Sequence, residues 1–294
     1  IHQLLGPLAG PQGAERTVGR LGCQRIDLHV LLELARSLQG RPRPRSLVFV
    51  AFTAEETGRL GSRHYVEHAA THPVKGAIAM LNLDTVGRLG DRPLLLLGTG
   101  TADEWVHIFR GASYVTGVPV ETAADDIGSG DQTSFIEAGV PAVQFFGGAH
   151  EDIHRPGDTP EKIDPDGLVR VAKILYEAVD YLAERPGALT GTLPGQHSAA
   201  VTDPARKRRV SLGTVPDFTW GGTGVRLDDV RADTPAARAG LRKGDIIRRI
   251  NGTPVRDLRQ YSESLRRLSP GDEIRIDFSR DGNDRQVATR VTER

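Results

Sequence analysis

Apolar residues in the first two-thirds of the chain alternate between short unbroken runs and helically spaced stripes. Ser46 to Phe52 (SLVFVAF), Ala77 to Leu83 (AIAMLNL), Pro93 to Leu97 (PLLLL) and Ala142 to Phe146 (AVQFF) are β-forming runs that predict strands buried on both faces. Between them, Ile26, Val30, Leu31, Leu34, Ala35 and Leu38 recur at helical spacing and stop at Gly40, a C-cap. Thr57 to Ala70 and Glu104 to Thr116 carry weaker helical patterns. Leu168 to Leu182 carries a strong one, preceded by Asp164 and Pro165 as cap and first-turn proline. Strands alternating with helices predict an α/β fold: a mostly parallel central sheet flanked by helices, with its chemistry on loops at the strands' carboxyl ends.

The pattern changes at about Pro186. Gly, Pro, Ser and Thr dominate as far as the basic run Arg206-Lys207-Arg208-Arg209, which reads as a solvated tether. Beyond it, short strand signals are punctuated by turns at Asn251-Gly252 and Asp281-Gly282. EIRIDF (Glu273 to Phe278) alternates with period two, and a helix is expected from Asp257 to Leu268. That is a second, small α+β module. The expected division is 1–186, a linker at 187–209, and 210–294.

Composition narrows the function. The 294 residues carry 38 basic and 38 acidic side chains, a net charge of zero, which argues against nucleic acid or a membrane surface as partner. No apolar run approaches the roughly 20 residues that cross a bilayer, so an integral membrane protein is not expected. The lone Cys23 excludes an internal disulfide and thiolate-rich metal sites. The chain starts at Ile1 and reads as a fragment or processed form, incomplete at its amino end.

Candidate chemistry gathers at strand ends. Glu55 and Glu56 follow the SLVFVAF run directly. Adjacent carboxylates repel unless a cation lies beside them; a divalent metal held by one leaves the other free to move a proton, whereas a solvated helix start is the plain alternative. Asn82-Leu83-Asp84 brings a further carboxylate to the same sheet edge. The loop after AVQFF holds His150, Glu151, Asp152, His154 and Asp158, a metal-ligand composition.

As a set, AFTAEETGRLGS, MLNLDTVGR, SGDQTSFIEAGVPAVQFF and HEDIHRPGDTPEKI resemble the zinc-dependent aminopeptidases that hold two co-catalytic zinc ions. Glutaminyl cyclases, glutamate carboxypeptidases and the transferrin receptor's protease-like domain belong to the same group. The resemblance covers roughly Ser46 to Leu182. It implies removal of N-terminal residues from peptide substrates. Glu55 is then the general base, taking a proton from water and returning it to the leaving amine, with Glu56 and His154 on one zinc and Asp84 on the other. Tyr usually stands where Ile153 is.

The amino end departs from the family. A His-x-Asp motif after an earlier strand, and an Asp-Asn-Ala-Ser-Gly motif whose Asp bridges both metals, are both missing. Counting back from the first helix, the bridging position falls on Cys23, with Asp27 one turn further on, and His2 is followed two residues on by Leu4 rather than Asp. Only three of five family ligands remain. Truncation, a shifted reading frame and a true inactive protein are all compatible with that gap. The rival reading is therefore a non-catalytic peptide-binding protein. A single-zinc cyclase reaction is disfavoured, because that group uses the missing bridging position.

In the second module, TPAARAGLRKGDII and INGTPV resemble a PDZ domain of the protease-associated bacterial kind. That likeness implies capture of a peptide or protein C-terminus by strand addition, with Ser211-Leu212-Gly213-Thr214 as the carboxylate loop and Gly221-Gly222-Thr223-Gly224 as its rival. Relatives with this domain pair are commonly exported, so a secreted or periplasmic setting is what the resemblance implies.

Overall fold

The computed structural model describes residues 26–128, 130–150, 152–153, 157–191, 209–218, 220 and 222–293. Helix α1 (26–38) ends at Gly40, whose φ of 76° supplies the left-handed cap expected there. After it come α2 (Leu60–His68), β1 (Met80–Asp84), β2 (Leu94–Leu97), α3 (Trp105–Thr116), β3 (Val120–Ala123), α4 (Gln132–Glu137), β4 (Ala142–Phe146) and α5 (Pro165–Glu184). Asp164 caps α5 by accepting from the Gly167 amide, with Pro165 next, as its sequence suggests.

The strands form one sheet in the order β1-β4-β2-β3. Two pairs are parallel, β1 with β4 and β2 with β3, while β2 runs antiparallel to β4. Side-chain alternation sorts the two faces. Leu94, Leu96, Val143 and Phe145 face the main core, closed by Val30 and Leu34 of α1, Trp105 and Phe109 of α3, and Ile174 and Leu175 of α5. Each such buried side chain contributes about 1.5–3 kcal/mol. On the opposite face, Ala142 packs with Phe135 of α4, Val74 and Val140. Gln144, between Val143 and Phe145, therefore points to that second face, where it is 1% exposed.

One expected strand does not form. Residues 46–52 run without strand pairing, and Val48 and Phe49 remain 47% and 39% exposed. This run has no hydrogen-bonding neighbour among the described residues. Among the described residues β1 pairs only with β4, and a cavity of about 550 Å³ is lined both by Val48 and Val50 and by Leu81 and Leu83 of β1. An apolar run supplies faces to bury, but a strand also needs an adjacent backbone edge.

The second module contains β5 (Val210–Ser211), β6 (Thr214–Pro216), β7 (Val225–Val230), α6 (Pro235–Arg238), β8 (Ile246–Ile250), β9 (Thr253–Pro254), α7 (Leu258–Arg266), β10 (Glu273–Arg280), β11 (Asn283–Arg290) and β12 (Thr292–Glu293). Its main sheet runs β11-β10-β8-β7-β6, leaving β6 at an edge. Tyr261 and Leu265 of α7 enter its own apolar core with Leu212, Ile247 and Ile276. Asp245, 0% exposed, ties this module internally through Arg280 at 2.6 and 2.7 Å.

Candidate active site

Three backbone devices deliver acids to one edge of the sheet. Glu55 and Glu56 lie on a short turn, Glu55–Thr57, between Ala54 (φ 57°) and Arg59 (φ 59°). Asp84 ends β1 and is followed by Thr85 at φ 58°. Left-handed backbone is costly for residues bearing Cβ, and most of all for a β-branched threonine, so the surrounding fold must hold these turns. Gly61 shows how tightly: a Cβ there would lie 2.5 Å from the Thr53 carbonyl oxygen. Asp131 stands at the start of α4 without capping it.

A chain of amides orders the floor beneath these acids. Asn82 Nδ2 donates to Gln132 Oε1 at 2.9 Å, Gln132 Nε2 donates to Gln144 Oε1 at 2.8 Å, and Gln144 Nε2 donates to Asp84 Oδ2 at 3.0 Å. Gln132 Nε2 also reaches Asp126 Oδ1, whose other oxygen accepts from Thr133 Oγ1 at 2.7 Å. Each amide oxygen and nitrogen has one geometric role, so the network fixes which carboxylate oxygens remain for a ligand.

Burial and crowding raise Glu55, Asp84 and Asp131 above the ordinary carboxylate range. The Glu55 carboxyl is pushed up to about 9, first by burial and then by Asp84, Glu56 and Asp131, with Arg59 opposing. Asp84 rises to about 6 through burial, with Glu56 and Asp131 adding to it, while hydrogen bonds from Thr85 and Gln144 work against the rise. Asp131 is raised by burial. It is 7% exposed, and its Oδ1 finds no partner among the described residues. Asp27, at the start of α1, reaches about 7 through burial and the neighbouring charge of Asp84. Several half-buried acids repelling one another around buried Asp131, whose Oδ1 has no partner among the described residues, would be relieved by a nearby cation.

The profile of peptidase family M28 matches residues 28–179, more than half of the chain. The chain belongs to peptidase family M28. A PDZ domain profile matches residues 200–291. Aminopeptidase YwaD of Bacillus subtilis (strain 168) is 30% identical over 190 residues, covering 59% of this chain and 40% of the relative. The solved aminopeptidase of Aneurinibacillus sp. strain AM-1 is 31% identical with a TM-score of 0.50, over 57% of this chain and 40% of its own. Magnetosome formation protease MamE of Paramagnetospirillum magneticum is 33% identical over 119 residues, covering 36% of this chain and 16% of the relative. The chain thus spans at most about two-fifths of the length of these relatives.

Of the M28-type residues named from sequence, Glu55, Glu56 and Asp84 lie within electrostatic reach of one another. His154, Cys23 and His2 lie outside the described residues. Among the described residues no three acidic, histidine or cysteine side chains close around one point at metal-ligand spacing.

The His150 loop differs from its metal-binding reading. Asp152 and Asp158 are both engaged by Arg88, at 3.1 and 2.6 Å, and Lys162 also reaches Asp152. A guanidinium, rather than a cation from solution, neutralises them. Both ring nitrogens of His150 are buried without a partner among the described residues.

Asp131 was legible inside SGDQTSF but carried no role from sequence. Its significance comes from burial and the orphaned oxygen, which no spacing rule reveals. Asp27 had only its position one helical turn beyond Cys23; the contact with Asp84 is tertiary.

In the PDZ domain, Leu212 is fully buried, Gly213 has φ 79° and donates its N–H to Ser211 Oγ at 3.1 Å, and Thr214 opens β6.

Proposed function

We propose that this chain derives from a metal-dependent aminopeptidase that removes N-terminal residues from peptides, with zinc as its metal. The observation that carries the reading is the gathering of Glu55 and Asp84, both half-buried, and of buried Asp131 at one sheet edge, mutually repelling, with Asp131 Oδ1 unpaired among the described residues. In this reading Glu56, Asp84 and His154 hold metal, and Asp131 and Asp27 add carboxylates beside them. Zinc, when bound, supplies Lewis-acid polarisation of the scissile carbonyl and lowers the pKa of water.

Glu55 accepts the proton of the attacking water and delivers it to the departing amine. Its buried setting suits a group that must hold a proton near neutral pH, and a nearby cation draws its pKa back down into a range where it can also act as a base. The acids collected around it attract the substrate's ammonium end. The PDZ domain would take a peptide or protein C-terminus at Leu212, Gly213 and Thr214, beside the open edge of β6. The domain limits 1–186 and 210–294, with 187–209 as linker, and a secreted or periplasmic setting belong to the same proposal.

The second reading, a non-catalytic peptide-binding protein, is favoured by one observation: the bridging-acid motif ahead of α1 is missing from the sequence. Elemental analysis of purified chain together with hydrolysis of leucine p-nitroanilide separates the two. Bound zinc and chelator-sensitive hydrolysis are expected. Hydrolysis that survives chelation, or no zinc and no hydrolysis, overturns the peptidase reading. Glu55→Gln is expected to keep zinc while reducing turnover at least about a hundredfold.

A further inference from the structure

The PDZ domain is seated on the edge that carries the acids. Phe218 packs edge-on against Phe146 at the end of β4, with centroids 5.5 Å apart, and Arg231 Nη2 donates to the His150 carbonyl at 3.1 Å. Helix α7 makes the third contact. Tyr261 and Leu265 face its own core, whereas Arg259, Glu263 and Arg266, at helical i, i+4 and i+7 spacing, lie on another face. Arg266 Nη2 donates to the Gly128 carbonyl at 2.9 Å, and Arg259 Cγ lies 3.7 Å from where a Gly128 Cβ would be. Gly128 belongs to the loop between β3 and α4, three residues before Asp131.

Arg266, like Arg231, has no carboxylate partner among the described residues, and of the two it is the one within electrostatic reach of Glu55. Arg59 is ion-paired with Glu137 at 3.3 Å and bonded to Ser134, and Arg88 is matched by two aspartates. Arg266 makes one neutral hydrogen bond, and among the described residues no carboxylate stands at ion-pair distance from it. It is partly withdrawn from water, which with Arg59 makes its charge harder to hold, while Glu55 and Glu263 act in its favour from further off. The rest of its N–H fork is not sealed from solvent and is open to an anion.

The charges around Glu55 are therefore polarised. Asp84, Glu56 and Asp131 lie within electrostatic reach of Glu55, and beside the paired Arg59 the PDZ domain brings a cation, Arg266, that no carboxylate pairs among the described residues. A peptide substrate has matching polarity, with its ammonium end at the acids and a carboxylate further along. We propose that Arg266 is a specificity-determining residue: the PDZ domain lends its guanidinium to the acid-bearing edge of the peptidase domain, where it binds a substrate carboxylate beyond the cleaved bond. That carboxylate is either the chain end of a dipeptide or an acidic side chain of the second residue. The proposal rests on the peptidase reading for its substrate class.

The test is equilibrium binding by calorimetry to the full chain carrying Glu55→Gln, so that the peptides persist. The probes are Leu-Gly free acid, Leu-Gly amide and Leu-Asp amide. The expected result is that at least one carboxylate-bearing probe binds about tenfold tighter than Leu-Gly amide. Preference for the free acid identifies the chain end, and preference for Leu-Asp amide identifies the side chain. Adding Arg266→Gln is expected to bring all three within about twofold, whereas Arg266→Lys keeps part of the preference because it keeps the charge. Equal binding of the three probes, no measurable binding, or a preference that survives Arg266→Gln overturns the proposal. Hydrolysis of leucine p-nitroanilide by the unaltered chain judges the peptidase reading separately, since that substrate carries no carboxylate.

Discussion

Glu55→Gln offers a thermodynamic test that needs no substrate. The Glu55 carboxyl is pushed up from an ordinary 4.5 to about 9, by burial first and then by Asp84, Glu56 and Asp131. An acid with a raised folded pKa takes up a proton on folding. Its contribution is complete below the unfolded value and is lost as pH climbs toward the folded one. Between pH 5 and pH 8 the slope is about 1.4 kcal/mol per pH unit, so about 4 kcal/mol is the ceiling on the loss. Glu56, Asp84 and Asp131 share the repulsion, and water entering the cleft screens it, which reduces the expected loss to about 2 kcal/mol. Glutamine keeps the size and removes the titration. Urea unfolding of metal-free protein at pH 5, 6.5 and 8 should therefore show the parent losing about 2 kcal/mol more than Glu55→Gln. Asp27 and Asp84 remain in both proteins, so the difference reports Glu55 together with its coupling to these neighbours. Zinc added at pH 8 is expected to narrow the gap, because a cation favours the ionised carboxyl. Parallel pH profiles for the two proteins would refute the placement of a buried, proton-holding Glu55.

Gln144→Leu removes the amide that donates to Asp84 and accepts from Gln132, leaving Asp84 Oδ2 without that donor and Gln132 Nε2 with Asp126 alone; thermal melting is expected to report a loss of about 2 kcal/mol. Gly61→Ala places a Cβ 2.5 Å from the Thr53 carbonyl and must displace the turn bearing Glu55; hydrolysis of leucine p-nitroanilide is expected to fall at least about tenfold, as befits an ångström-scale misplacement. Asp245→Ala strips Arg280 of its buried partner and the Arg242 amide of its acceptor; hydrogen exchange should show a loss of about 3–5 kcal/mol in β8 and β10, with protection of β1 and β4 unchanged.

What the sequence disclosed and what it withheld divide along the range of the interactions concerned. The β4 strand and the capped start of α5 were readable because their determinants are local: an unbroken apolar run in one, an Asp-Pro cap in the other. Residues 46–52 carry as strong an apolar run as β4, yet they lack pairing. Their pattern encodes burial and contains nothing about the neighbouring edge. The short strand β3 (VETA) was invisible for the opposite reason, since its residues have little apolar pattern and its pairing with β2 supplies the order. The site divides similarly. Glu55, Glu56 and Asp84 stood out by position after apolar runs, but the neutralisation of Asp152 and Asp158 depends on Arg88, some 64 and 70 positions away in sequence.

The same edge concentrates the backbone's departures from relaxed geometry. Ala54, Arg59 and Thr85 are left-handed without being glycine, asparagine or aspartate, and the other non-glycine cases, Asp233, Asn251 and Asp281, are of the types that tolerate that conformation. Strain of about 1–3 kcal/mol at each such residue adds to the cost of burying Glu55, Asp84 and Asp131 together. A fold optimised only for stability would relax both, since a glycine at position 54 or an amide at position 131 would serve the packing as well. The core of Phe145, Trp105 and Ile174 offsets the cost without removing it. The free energy stored in the acids is recoverable by whatever neutralises them, so cation binding and folding at this edge are coupled. A helix from the PDZ domain that bonds the Gly128 carbonyl, three residues before Asp131, is placed to share in that coupling.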